Sequence, residues 1–198
     1  MEFIESYMKF SYPDEESFHI EKSSFISDNE CVKVCEVIVM LKGKLSMIEA
    51  KSSSPRPGNK EDFDTYISEI GQKFIDTLIF YNATILERHG LEYKEEYPEE
   101  IKNQHPETMD YSIYLIVHGN KVEWMPPIQD ALRNHLRHIL RAWNISDVNV
   151  KAINHELAQE KGLIKQYLPP AILKEIKSKG TKDQTLINQV EQWFSSHD

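Results

Sequence analysis

The chain has 198 residues, with 32 Asp and Glu against 23 Lys and Arg, a formal net charge of −9. That length holds one domain, or one domain and a small appendage, and 40% hydrophobic with 10% aromatic residues excludes general disorder. The longest apolar run, Val37–Leu41, is far too short to span a bilayer, and no charged segment followed by an apolar one opens the chain, so the expectation is a cytoplasmic protein with no membrane partner. The acidic balance argues against a protein that coats DNA, yet it leaves room for a nucleic-acid enzyme with a local basic surface.

Residues 1–30 carry eight acids and two lysines, and within them Glu16–Ser24 reads as a strand with Phe18 and Ile20 on one face. Val32–Leu41 is rich in β-branched residues and reads as a second strand, and Leu45–Ser52 as a third. Lys42-Gly43 between them predicts a tight hairpin turn, with Gly supplying positive φ. A long helix is expected after Pro57-Gly58, with Asn59 at its N-cap and Asp62 three residues on, as in a capping box. Its apolar stripe is Phe63, Tyr66, Ile67, Ile70, Phe74, Leu78, Tyr81 and Ile85.

Residues 89–110 are acidic and punctuated by Pro98 and Pro106, which predicts a long loop with one short helical piece. Tyr111–His118 alternates as a strand, and Pro126-Pro127 opens a second helix with Ile128, Ala131, Leu132, His135, Leu136, Ile139, Leu140 and Trp143 on its apolar face. Val148–Ile153 is a fifth strand, and Pro169-Pro170 starts a helical tail broken at Gly180 that contains Trp193 and Phe194. Strands joined by a hairpin, then strands separated by helices, predict an α/β fold with a mixed central sheet and flanking helices. The expected division is a single α/β domain over residues 1–168 and a helical C-terminal extension over 169–198 packed on it.

Two cysteines cannot build a disulfide framework. In an extended segment Cys31 and Cys35 would lie about 13 Å apart, beyond disulfide reach, so both are expected to be reduced packing residues. The sequence has no P-loop, GxGxxG, GxSxG or HExxH motif. His19 and His118 have no companions at metal-ligand spacing, and His135 falls on the apolar side of its helix.

The informative stretch is the hairpin. Glu49 and Lys51 point to one face of their strand, with Ala50 on the other. A two-residue turn at Lys42-Gly43 pairs Leu41 with Lys44, which places Glu36 opposite Glu49. Two carboxylates about 5 Å apart on one face repel unless a cation lies between them. A divalent metal resolves that repulsion, and an ammonium at Lys51 then suits metal-assisted phosphodiester hydrolysis. The competing reading is a structural Glu–Lys pair on a solvated strand face, although Leu45, Met47, Val34 and Ile38 make the surroundings of these charges apolar.

The Glu36 strand, the hairpin, Ile48-Glu49-Ala50-Lys51, the long helix and the next strand resemble the PD-(D/E)xK nuclease superfamily, over roughly residues 16–120. Glu49 and Lys51 match the E-x-K of that family, Glu36 stands where Asp is usual, and Cys35 where Pro is often found. The resemblance implies a restriction-endonuclease-like fold and hydrolysis of DNA, less favourably RNA, with Mg²⁺ or Mn²⁺ held by Glu36 and Glu49. It further implies Glu21 as an additional acidic ligand and a polar residue of the long helix completing the site. At 100° per residue Lys73 lies at the margin of the apolar stripe, whereas Gln72 points away, so Lys73 is the choice. For nucleic-acid contact the candidates are Arg133, Arg137 and Arg141, at i, i+4 and i+8, and Arg56 just past the E-x-K strand. The alternative function is a noncatalytic nuclease-fold protein serving as a protein-interaction or regulatory module, which would bind a protein partner through the tail near Trp193; a homodimer is a further expectation.

Overall fold

The computed structural model describes residues 1–28, 32–178 and 183–197. Two antiparallel strands, β1 (Glu2–Glu5) and β2 (Met8–Ser11), open the chain. A two-residue β3 (Ser17–Phe18) follows, then a 3₁₀ turn at Ile20–Lys22 and the short helix α1 (Ser24–Asp28). Next come β4 (Val37–Leu41), β5 (Lys44–Lys51) and the long α2 (Lys60–Ile85). Two single-turn helices, α3 (Leu91–Lys94) and α4 (Glu99–Lys102), lead to β6 (Asp110–Val117). The chain continues through α5 (Met125–Ala142), β7 (Val150–Asn154), α6 (His155–Glu160), β8 (Gln166–Tyr167), α7 (Pro170–Ser178) and α8 (Asp183–Ser196).

The fold is α/β with a mixed central sheet. Its order is β3-β4-β5-β6-β7, with the β3/β4 and β4/β5 pairs antiparallel and the β5/β6 and β6/β7 pairs parallel. Lys42 (φ 52°) and Gly43 (φ 76°) are both left-handed, the geometry that lets a two-residue turn follow the right-handed twist of its strands. Leu41 therefore faces Lys44, and the pairing runs on to Val37 opposite Ile48.

Side chains alternate, so each face of the sheet gathers its own core. Ile38, Met47, Leu115 and Ala152 meet Ile67, Phe74 and Leu78 of α2 and Leu132, Leu136 and Leu140 of α5. Burial of each Leu, Ile, Met or Phe side chain among them contributes about 1.5–3 kcal/mol. Of the expected stripe on α2, all but the half-buried Tyr66 are buried. The opposite face, with Val37, Val39, Ile48, Ala50 and Ile116, is covered by Met8, Phe10 and Tyr12 and by Leu163 and Ile164. A second sheet, β1-β2-β8, forms that cover. Leu173, Val190 and Phe194 of the tail pack with Leu168 and with Ile4 and Tyr7 of the first hairpin. Among the described residues no helix is long and apolar enough to cross a membrane.

Several local expectations are corrected. The strand expected over Val32–Leu41 begins only at Val37, because the Cys35 amide donates to Thr77 Oγ1 of α2 (2.8 Å) rather than to a neighbouring strand. The strand expected over Glu16–Ser24 is confined to Ser17–Phe18, since the chain turns back at Ile20 to bury that residue. Asn59 is the N-cap of α2, with its carbonyl accepting from Phe63 N–H (3.0 Å), but its side-chain amide bonds the Asp62 carboxylate instead of capping the backbone. His135 is exposed rather than core, and its ring lies over Gly71 of α2. Cys35 is a free, buried thiol; Cys31 and Gly180 lie outside the described residues.

Candidate active site

β5 delivers Glu49 and Lys51 to the face covered by α2, at the end of the strand. Glu49 is completely buried and Lys51 is one-third exposed at its side chain. Glu36 sits one residue before β4, where the register extends toward Glu49, and is itself buried. A carboxylate at zero exposure needs compensating charge, because desolvation of an unpaired one costs several kcal/mol. Lys51 Nζ lies 2.6 Å from Glu49 Oε1, and Lys73 Nζ lies 2.9 Å from the same oxygen. The aligned hydrogen bond is donated by Lys73 Nζ to Glu49 Oε2 (3.2 Å), and the contacts at Oε1 are ion pairs without hydrogen-bond alignment.

Lys73 is the hub. Besides Glu49, its ammonium stands 3.6 Å from Glu36 Oε1 and 3.7 Å from Glu21 Oε1. Burial works against its charge, but Glu49, Glu36 and Glu21 together outweigh that and hold its pKa above the usual lysine value. Gln72 instead bonds Asp76 at the next turn, pointing away from the cluster. The structure thus brings Glu21, Glu36, Glu49, Lys51 and Lys73 together from four separate segments.

Glu36 has an unusual environment. Burial, the Glu49 charge and a hydrogen bond with Glu21 push its pKa up to about 8, despite the opposing pull of Lys73. At neutral pH Glu36 therefore favours its protonated form. His19 completes this side of the cluster: one ligand atom each from His19, Glu21 and Glu36 fall within 4.8 Å of one another. The absence of companions expected for His19 is thereby overturned, because the turn at Ile20–Lys22 folds the side chains of residues 19 and 21 toward Glu36. Burial and the nearby Lys22 lower the His19 pKa, which favours the neutral imidazole that ligates metals.

Two further residues belong to the arrangement. Thr77 Oγ1 donates to the Lys73 carbonyl (2.7 Å) and accepts from the Cys35 amide, which ties the Glu36 segment to the turn of α2 that carries Lys73. Its position four residues after Lys73 was the only sequence signal. The Tyr66 hydroxyl oxygen is buried without a hydrogen-bond partner among the described residues. Burial raises its pKa and the Glu49 charge raises it further, so the hydroxyl lies within the field of the cluster.

The arginines are placed elsewhere. Arg133 Nε donates to the Val150 carbonyl (3.1 Å), and Arg137 bonds the side chain of Asn134 one turn back. Arg141 is exposed. Arg56 lies over the Trp124 ring, 5.2 Å from its centre. Among the described residues, none of the four touches the carboxylates of the cluster. Comparison of the chain with protein-family models, curated proteins and solved structures returns no match.

Proposed function

We propose that this chain is a metal-dependent phosphodiesterase of the PD-(D/E)xK type, with a restriction-endonuclease-like α/β core, acting on nucleic acid and on DNA in preference to RNA. The observation that carries the reading is the convergence of Glu36, Glu49, Lys51 and Lys73 on one buried face, with Glu21 and His19 at its open side. Glu49 is the anchor, since two ammonium groups converge on one completely buried carboxylate.

The donors fit a divalent ion. A cation bonded at about 2.1 Å to several ligands holds them roughly 3–4 Å apart, so a set already within 4.8 Å needs only a small contraction. Two carboxylates with an imidazole suit Mn²⁺ better than Mg²⁺, which prefers oxygen donors and retained water. When bound, such an ion supplies Lewis acidity toward a phosphoryl oxygen and favours deprotonation of the attacking water. Lys51, with its side chain one-third exposed, holds the negative charge that develops on the phosphate. Lys73 keeps Glu49 in place and yields Glu36 and Glu21 to the metal. The Tyr66 hydroxyl is available as a donor beside them.

Cleavage of plasmid and linear DNA with Mn²⁺ or Mg²⁺ tests this, comparing wild type with Glu49→Gln and Lys51→Ala. Metal-dependent cleavage is expected in the wild type, greater with Mn²⁺, with a loss of about 100-fold or more in either variant. Equal background in all three rejects it. One observation favours a second reading, a noncatalytic module of the same fold. The Lys73 ammonium already lies within 3.7 Å of all three carboxylates and serves as a built-in counter-ion where a metal would stand. That reading predicts no cleavage and no metal uptake by the wild type.

A further inference from the structure

The face of the sheet opposite the carboxylate cluster holds a second polar feature. Between Leu163 of the cover and Lys42 of the hairpin turn, a cavity of about 580 Å³ opens over the sheet. Lys42, Lys44, Lys151 and Lys161 line it, against a single carboxylate, Glu160. In a chain of net charge −9 this is a local reversal of sign. Lys44 is held by Asp110 (3.6 Å) and Asn149 (3.4 Å). Lys42, Lys151 and Lys161 make no ion pair with a described residue, and the Lys151 ammonium lies 5.9 Å from the centre of the Tyr114 ring.

Mutual repulsion would disperse free ammonium groups over the surface. Here strand order does the opposite: the Lys42 turn, β5 and β7 place Lys42, Lys44 and Lys151 round one opening, and the end of α6 adds Lys161. Ser112 on the intervening β6 also lines the cavity. It is nine-tenths buried or more, and its hydroxyl makes no hydrogen bond with another described residue. That hydroxyl is open to the cavity and has no protein partner, so it is free to donate to a ligand held by the three uncompensated ammonium groups.

We propose that this groove binds a compact oligophosphate, free or as the tail of a nucleotide. Lysine binds phosphate as a point charge with three donors, and three of them match a ligand with several closely spaced negative oxygens. The cavity is within the size range of small-ligand sites, and the half-buried Tyr114 ring offers a surface for a base. The groove shares no residue with the carboxylate cluster, so this inference stands or falls apart from the phosphodiesterase reading.

Calorimetric titration of the full chain with inorganic tripolyphosphate, a nucleoside triphosphate and a 5′-phosphorylated oligonucleotide, in metal-free buffer, tests it. Saturable binding of one or both triphosphates is expected, weakening as salt is raised, and the better of the two identifies the source of the phosphates. Affinity falls about tenfold for each of Lys42→Gln, Lys151→Gln and Lys161→Gln, the ratio for one charge-assisted contact. No binding of either triphosphate overturns the proposal, as does binding unchanged in the triple Gln variant with its thermal midpoint intact. Binding of the oligonucleotide alone also overturns it, in favour of backbone recognition.

Discussion

Glu49 and Glu36 divide the electrostatic labour of the cluster. Glu49 receives two ammonium groups at 2.6 and 2.9 Å, whereas Glu36 has only the shared Lys73 at 3.6 Å and pays for its burial by holding a proton. This fixes a sign for stability. The folded-state pKa of Glu36 is about 8, above the usual carboxylate value of 4.5. Between those pH values the folded chain binds a proton that the unfolded chain has lost, so this group makes stability fall as pH rises. Glu36→Gln cannot ionise and escapes the fall. Thermal midpoints of the two proteins at pH 5, 7 and 9 are expected to diverge in favour of the variant as pH rises; parallel curves would show that Glu36 ionises normally. The E-x-K spacing and the two-residue turn made the Glu36, Glu49 and Lys51 face legible, because strand alternation and hairpin register are local rules. Helical phase likewise separated Lys73 from Gln72. His19 was not legible, since its approach to Glu36 depends on a 3₁₀ turn set by the burial of Ile20.

At the level of elements, α2 positions the site through its contacts along its length. Thr77 fastens the Glu36 segment to it, and Gly71 lets α5 approach on the same side. A methyl group at Gly71 would fall 2.3 Å from Cδ2 of His135, closer than packed atoms allow. Alanine's helix propensity favours Gly71→Ala by about 1 kcal/mol, but the exposed His135 ring has to turn away to admit the methyl, so the net gain in stability is expected to fall short of that. His135→Ala added to it should release the full gain by removing the ring, a coupling that denaturant unfolding of the single and double variants measures. Additive effects would mean that the two helices do not meet through this pair. The Arg133, Arg137 and Arg141 stripe illustrates the limit of helix-face reasoning. Spacing put the three on a common face, but Arg133 is drawn to the Val150 carbonyl at the end of the neighbouring strand. The first hairpin was hidden for a different reason. Its turn is Ser6-Tyr7, both at positive φ without a glycine or asparagine to announce it, and the burial of Met8 and Phe10 offsets that conformation.

Over the whole molecule, most of the acidity lies apart from the cluster, to which the acidic N-terminal stretch contributes Glu21. Residues 1–30 and 87–110 carry eight acids each against two and three bases, and the remainder holds slightly more bases than acids. The sheet then sorts what is left, with the carboxylate–lysine cluster on the α2 side and the lysine groove on the other. Both faces were implicit in strand alternation, but the groove became visible only once the order of β5, β6 and β7 and the reach of the N-terminal cover were known. The function proposed for the cluster at the end of β5 requires uptake of a divalent metal. Titration with Mn²⁺ followed by electron paramagnetic resonance, on the wild type and on Glu36→Gln, measures this directly. Saturable uptake by the wild type that tightens as pH rises toward 8, and loss of that uptake in Glu36→Gln, are expected. No saturable uptake by the wild type, or uptake unchanged in the variant, would contradict it.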